Sequence, residues 1–275
     1  MKTFLDYQII INYSLHTQLR SASAELSLHT AGRYEEERRQ VIKSYTKSDS
    51  AIENNMYARD IESWEGTVFR CLQKIDSNPV GKLVLGLISK QTTVWIVPSL
   101  DIVKRCYCAT TKPLNYEIPK DGSYARGAGF GDTVITFNPD LGDDTLFHEL
   151  VHAYRYSYKK FTDKLFYVWN GGSQTQQKVE EFFAHQMQNI YLSYNNRPLL
   201  LDYTWSKPAP TKEIYDFLAS NPEMLMAIKS LLRHEYMAML AAHSFTGAYN
   251  PFRDIKALEA TYLEGSGIKT LPELF

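Results

Sequence analysis

The sequence predicts an α+β fold in which a small sheet lies beside a largely helical core. Two runs rich in β-branched and apolar residues, at positions 92–97 and 132–137, have the composition of strands. Apolar residues recur at helical spacing over residues 51–75, and Asn221 followed by Pro222 predicts the start of a helix over residues 224–242. The chain of 275 residues can hold one large domain, or a domain with a smaller helical appendage.

Composition excludes several classes of protein. Hydrophobic residues make up 44% of the chain and charged residues 22%, which is typical of a globular protein. The net charge of −1 argues against a nucleic-acid partner or an anionic membrane surface. No apolar run is long enough for a transmembrane helix, and the N-terminal residues lack the features of a Sec signal peptide. Three cysteines without framework spacing argue against a disulfide scaffold.

One apolar stretch carries the pattern His148-Glu149-Leu150-Val151-His152. On a helix, residues four apart lie on the same face, so both imidazoles can bind one zinc ion. Glu149 lies beside them, where it can take a proton from a water molecule on that ion. Leu150 and Val151 predict that the helix is buried, and buried histidines and carboxylates need partners. We therefore expect a Zn²⁺ site, with Glu149 as the general base.

A catalytic zinc site needs three protein ligands and one open position. The third ligand is predicted on the next helix, where Glu180 and Glu181 lie among apolar neighbours and His185 follows one turn later. Helical phase alone does not choose between the two glutamates. Whichever glutamate does not bind zinc would orient a metal-bound histidine. His185 is a lesser alternative as the third ligand.

Hydrolysis at such a site also needs a donor for the oxyanion of the tetrahedral intermediate. The candidates are Tyr203, Arg197, Tyr156 and Tyr194, and Tyr203 is ranked first.

Local signals predict the bounds of the two helices. Asp143 or Asp144 is expected to cap the first helix, which continues to Tyr154 or beyond. Residues 170–173 form a break, and the second helix is expected to begin near Gln176.

Four features in this order resemble the NleD-like zinc metallopeptidases, a group of bacterial secreted effectors and toxin domains. The features are residues 69–88 with Pro79-Val80-Gly81-Lys82, residues 131–139, the segment from His148 to Ala153, and the Glu180-Glu181 pair. The similarity covers about residues 65–205. In this family the first glutamate of the pair binds zinc, which implies Glu180. The chain lacks the Arg-x-x-Tyr spacing of the family.

The resemblance implies a zincin-like metallopeptidase core of the gluzincin type over residues 65–205. Residues 1–64 and 206–275 lie outside the resemblance. We expect residues 1–64 to form a helical N-terminal region with a docking or secretion role. Residues 206–275 are a C-terminal helical extension packed on the core.

The resemblance also implies an effector or toxin that a specialised bacterial secretion system delivers into a host or competitor cell. Its substrate would be a protein of that cell, and a secretion-system, chaperone or immunity protein would be a further partner. Two alternatives remain open, namely a zinc-containing binding protein without catalysis and a zinc amidase acting on a cell-wall bond.

Overall fold

A computed structural model describes residues 2–4, 7–11, 50–98, 110–113, 133–137, 141–160, 162–170, 173–201 and 208–271. Within this part of the chain, eight α-helices and nine short strands form a mostly helical structure with three sheets. The α+β class predicted from the sequence is confirmed. The zincin-like core and the boundaries at residues 64 and 205 stay predictions.

The largest sheet is built from strands that are far apart in the sequence. Its strands are β1 (Lys2–Thr3), β2 (Ile9–Ile11), β3 (Val94–Pro98), β4 (Thr110–Pro113) and β5 (Thr133–Phe137), and their order is β1-β2-β3-β5-β4. Strands β2, β3 and β5 run parallel, and the two edge strands are antiparallel to their neighbours. Ile96 and Ile135 are register partners and are fully buried, so this sheet forms one wall of the core.

The sheet confirms two predicted strands and corrects the prediction for the N-terminal region. Residues 2–3 and 9–11 are strands, so the helical prediction for residues 1–64 is wrong there. Strand β2 has three residues and is too short to show an alternation of apolar and polar side chains. It is held in place because β3 satisfies its backbone hydrogen-bonding groups. Residues 12–49 lie outside the described part of the chain.

Two helices cover the core beside this sheet. Helix α1 (Ser50–Ser77) buries Val68, Leu72 and Ile75, and helix α2 (Pro79–Ile88) follows after one residue. That residue is Asn78, whose side-chain oxygen accepts a hydrogen bond from the Val80 amide at 2.9 Å. Helix α1 was predicted over residues 51–75, within two residues of its observed ends.

The helix with the His-Glu-x-x-His pattern is α3 (Asp143–Ser157). The predicted cap is wrong, because Gly142 occupies the N-cap position with a φ of 88°. Asp143 and Asp144 instead lie in the first turn, where negative charge favours the helix dipole. Their carboxylates bind side chains of other elements and do not cap their own helix.

A hairpin that the sequence did not reveal separates α3 from the next helix. Strands β6 (Leu165–Asn170) and β7 (Ser173–Lys178) pair antiparallel, with Phe166 and Val168 turned into the core. Helix α4 therefore runs over Val179–Tyr194, and the predicted start near Gln176 is wrong by three residues. The polar sequence of β7 has no strand signature, and its pairing with β6 determines its conformation.

The C-terminal region is helical, as predicted, and packs on the preceding elements. After the short strands β8 (Leu199–Leu200) and β9 (Pro208–Ala209), it contains α5 (Thr211–Ala219), α6 (Pro222–His234), α7 (Tyr236–Ser244) and α8 (Pro251–Ser266). The single helix expected over residues 224–242 is two helices, because Glu235 adopts an extended conformation between them. Glu223 and Asn221 accept hydrogen bonds from the backbone of β6.

No helix in the described part of the chain combines the length and apolar character that a membrane span requires.

Close packing of α2 against the end of α1 predicts opposite effects for two glycines of the same helix. A Cβ atom at Gly81 would stand 2.0 Å from the carbonyl oxygen of Ile75, whereas a Cβ at Gly86 would meet nothing within 4 Å. We expect Gly81→Ala to lower the free energy of unfolding by about 2–3 kcal/mol or more, because backbone must shift. Gly86→Ala, the matched control, should raise it by up to about 1 kcal/mol. Urea denaturation measures both, and equal effects would contradict this packing.

Candidate metal centre

The site lies where α3 packs against α4 in the interior of the protein. Helix α3 buries Phe147, Leu150 and Val151, which gives it an apolar face on both sides of the histidines. Phe147 stacks on Tyr191 of α4 with ring centroids 4.6 Å apart, which aligns the two helices. The first turn of α4 therefore lies beside His148 and His152.

Three side-chain atoms from these helices form a nearly equilateral triangle. The Nε2 atoms of His148 and His152 are 3.0 Å apart. Oε2 of Glu181 lies 3.3 Å from the first of these nitrogens and 3.4 Å from the second. His148, His152 and Glu181 are the group of potential metal ligands found among the described residues.

The triangle fits a zinc ion. Zinc in a tetrahedral site binds nitrogen and oxygen at about 2.0–2.2 Å, which places neighbouring ligand atoms about 3.3 Å apart. The observed separations of 3.0 to 3.4 Å match this value. Two imidazoles and one carboxylate are also the donor set of several catalytic zinc sites, which keep a fourth position open. The predicted pair of histidine ligands is thus placed with suitable geometry, and Glu181 is the carboxylate that faces both.

Glu180 lies on the other edge of the His152 ring. Its Oε1 atom is 3.1 Å from Nδ1 of His152, so it orients the imidazole through the ring nitrogen that faces away from the triangle. The geometry favours Glu181 as the third ligand and Glu180 as the residue that orients His152. This arrangement was the alternative left open by helical phase, and the assignment of Glu180 as ligand stays a prediction that affinity measurements can decide.

The ring of His148 has an analogous partner on its own Nδ1 atom. Gln188, two turns after Glu181 on α4, places its Oε1 atom 3.3 Å from that nitrogen. The amide of Gln188 donates to Asp144 at 3.1 Å, and Arg197 donates to the same carboxylate at 2.5 Å. Both imidazoles are therefore oriented with Nε2 directed at the triangle.

The partners of Glu180 form a second buried network. Arg155 donates from Nε to Oε2 of Glu180 at 2.9 Å and from a terminal nitrogen to Glu235 at 2.6 Å. Its guanidinium also lies over the ring of Phe183, 5.1 Å from the centroid. Tyr154 donates to the other oxygen of Glu235 at 2.6 Å. These charges are almost fully buried, and each has an opposite charge beside it.

Sequence reasoning missed Gln188, Arg155 and Glu235. Two of them carry a weak signal, because Gln188 repeats the face of Glu181 after seven residues and Arg155 follows His152 by three. Glu235 lies 80 residues from Arg155 in the sequence, and no spacing rule connects them.

The charges around His152 alter the titration of the site. Burial lowers the pKa of His152, but its hydrogen bonds to Glu180 and Glu181, with the nearby charge of Glu149, raise that pKa to about 10. Burial raises the pKa of Glu181, whereas hydrogen bonds to His148 and His152 outweigh it and hold that pKa well below its usual range. A metal ion at Nε2 of His152 therefore competes with a proton.

Glu149, the predicted general base, is buried next to the histidines. It follows His148 directly on α3, it is 7% exposed, and its charge acts on His152. The side chain of Glu181 is 46% exposed, whereas those of His148 and His152 are 3% and 8% exposed. Solvent thus reaches the triangle from the side of Glu181.

The remaining predicted residues are distributed differently. Tyr203 lies outside the described residues, so its role as oxyanion donor stays a prediction. Tyr194 is at the end of α4, roughly 20 Å along the helix from Glu181. Arg197 binds Asp143 and Asp144. His185 is buried on α4 and does not belong to the triangle, and Tyr156 is half-buried on α3.

Comparison with known proteins does not assign this chain to a family. No protein-family model matches the sequence, and no curated protein matches it. Among solved structures, the chain is similar to the light chain of Clostridium botulinum neurotoxin serotype F. The two share 16% identity over 79% of this chain and 69% of the neurotoxin chain, with a TM-score of 0.37. A likeness this weak carries no argument about fold or activity, and the resemblance to the NleD-like family stays a prediction.

Two isosteric substitutions distinguish the roles of the neighbouring glutamates. We expect Glu181→Gln to weaken zinc binding by more than about 100-fold, because it removes a charged ligand. Glu180→Gln should weaken it by about 10- to 100-fold, as for other residues that orient a ligand. Competition with a chromophoric chelator measures both. A larger loss for Glu180→Gln than for Glu181→Gln would show that Glu180 is the ligand.

Proposed function

We propose that this protein is a zinc metallopeptidase. The observation that carries the proposal is the triangle of His148, His152 and Glu181 atoms at 3.0–3.4 Å, with Glu149 next to it on the same buried helix. A protein that only stores or binds zinc can use a carboxylate that orients a ligand, as Glu180 does, but it has no use for a general base. Glu149 therefore favours hydrolysis over simple binding.

The residues of the chain have distinct tasks in this reaction. A zinc ion held by the triangle would acidify a water molecule and polarise the carbonyl of the scissile bond. Glu149 accepts a proton from the attacking water and delivers it to the leaving amine. Glu180 and Gln188 hold the two imidazoles in the tautomer that leaves each Nε2 free for the metal.

The proposal extends to the substrate and its location. The half-exposed Glu181 leaves the site open to solvent on one side, which suits approach by a segment of a large substrate such as a protein. The resemblance supports delivery as a bacterial effector or toxin, by a specialised secretion system, into a host or competitor cell. A zincin-like core follows from the same resemblance, and so does a target-cell protein as substrate.

Replacement of the general base separates metal binding from hydrolysis. We expect Glu149→Gln to retain about one zinc ion per chain and to lose hydrolysis by about 100-fold to 10,000-fold. Elemental analysis of the purified protein measures the zinc content. Comparison of new protein N-termini in target-cell extracts treated with the wild type and with this variant measures the peptidase activity.

The control for this experiment is His148→Ala, which should lose both zinc and activity because it removes a ligand. Full hydrolysis by Glu149→Gln would refute the mechanism. Cleavage of cell-wall amides without new protein N-termini would instead identify an amidase.

A further inference from the structure

A buried carboxylate of the C-terminal helices is directed towards the metal centre. Glu235 stands at the junction of α6 and α7, is 1% exposed, and leaves the helical conformation with φ −117° and ψ 113°. Its Oε1 atom accepts a hydrogen bond from Tyr154 and its Oε2 atom accepts one from Arg155, both at 2.6 Å. Capping of α7 needs only the longer contact with the Met237 amide at 3.4 Å. The strong contacts of this side chain are thus with α3.

Arg155 transmits the position of Glu235 to a predicted ligand. Its guanidinium binds Glu235 through a terminal nitrogen and Glu180 through Nε, and Glu180 binds Nδ1 of His152. A guanidinium is planar, so fixing one of its edges fixes the direction in which the other edge donates. The aromatic ring of Phe183 restricts the same plane from one face. Glu235 is connected to His152 by three consecutive contacts of 2.6, 2.9 and 3.1 Å.

We propose that Glu235 is a positioning residue of the metal centre, acting through Arg155 and Glu180 on His152. The proposal rests on the metal site of the proposed function and deepens it. The region of α6 and α7, which was predicted as part of a C-terminal extension, would then contribute to metal binding.

A reciprocal effect follows from thermodynamic linkage. If Glu235 increases zinc affinity through this chain of contacts, bound zinc must stabilise the junction of α6 and α7 by the same factor. Zinc binding would thus affect the junction of α6 and α7 through contacts that are buried. Hydrogen exchange of backbone amides near residue 235 is therefore a measure of metal binding that does not depend on hydrolysis.

The central experiment measures zinc affinity of the full chain carrying Glu235→Gln. The amide is isosteric with the carboxylate and keeps an oxygen for Tyr154, but it loses the charge that holds Arg155. We expect zinc affinity to fall about tenfold, at the low end of the range for residues behind a metal ligand. Chelator competition with zinc alone gives this value.

A double-mutant cycle tests the path of the effect. In the Glu180→Gln background only one acceptor oxygen remains, so residue 180 cannot accept from both Arg155 and His152 and the connection between them is broken. Adding Glu235→Gln should then change zinc affinity by less than about twofold. Additive losses from the two substitutions would overturn the proposal, because they would show that Glu235 acts by another route.

A second variant controls for general loss of stability. Asn250 is buried, and its side chain binds the carbonyls of Ala241 and Phe245 at the far end of α7 from Glu235. Asn250→Ala should destabilise the C-terminal helices while changing zinc affinity by less than about twofold. An equal fall in zinc affinity for Asn250→Ala and Glu235→Gln would reduce the role of Glu235 to a structural one and overturn the proposal.

Hydrogen exchange with and without zinc completes the test. We expect zinc to slow exchange of amides around residue 235 in the wild type, and to do so about tenfold less in Glu235→Gln. Tight zinc binding by the wild type with no change in the variant refutes the positioning role alone. Failure of the wild type to bind zinc refutes the metal centre, and the proposed function falls with it.

Discussion

The hydrogen bond between Glu180 and Nδ1 of His152 is the contact on which the arrangement of the metal centre depends. Both side chains are buried, so the carboxylate oxygen needs a hydrogen-bond donor and the Nδ1–H group of the imidazole needs an acceptor. The contact of 3.1 Å meets both needs and leaves Nε2 of the ring directed at His148 and Glu181. Without it, the imidazole could rotate and the triangle of donor atoms would lose one corner.

Helix geometry explains how two consecutive glutamates serve one histidine. Neighbouring residues of an α-helix point about 100° apart, so Glu180 and Glu181 reach opposite edges of the same ring. Glu180 enters the interior, where Arg155 compensates its charge, and Glu181 stays half-exposed at the opening of the site. In the proposed metal site, Glu181 would bind the ion and Glu180 would orient His152.

Local sequence signals predict much of this structure, because they depend on contacts within one helix or one strand. The spacing of His148 and His152 requires only the repeat of an α-helix, and the buried strands are evident from their β-branched residues. The hairpin of β6 and β7 could not be predicted in the same way, since its second strand is polar and its conformation follows from pairing. The choice between Glu180 and Glu181 depends on the rotation of α4 against α3, which the Phe147–Tyr191 stack and neighbouring contacts determine. None of these contacts is visible in the spacing of residues along one helix.

The ion pair of Arg155 with Glu235 could not be predicted from the sequence either, because the two residues are 80 positions apart. A buried arginine such as Arg155 must have acidic partners, and the sequence offers 31 acidic residues from which to choose. Glu180 on the neighbouring helix is one partner, but it also accepts from His152, so one carboxylate does not satisfy the whole guanidinium. Glu235, the extended residue between α6 and α7, supplies the second carboxylate. The residue that interrupts the C-terminal helices is therefore also the residue that completes the ion pairing of Arg155, three residues from the predicted zinc ligand His152.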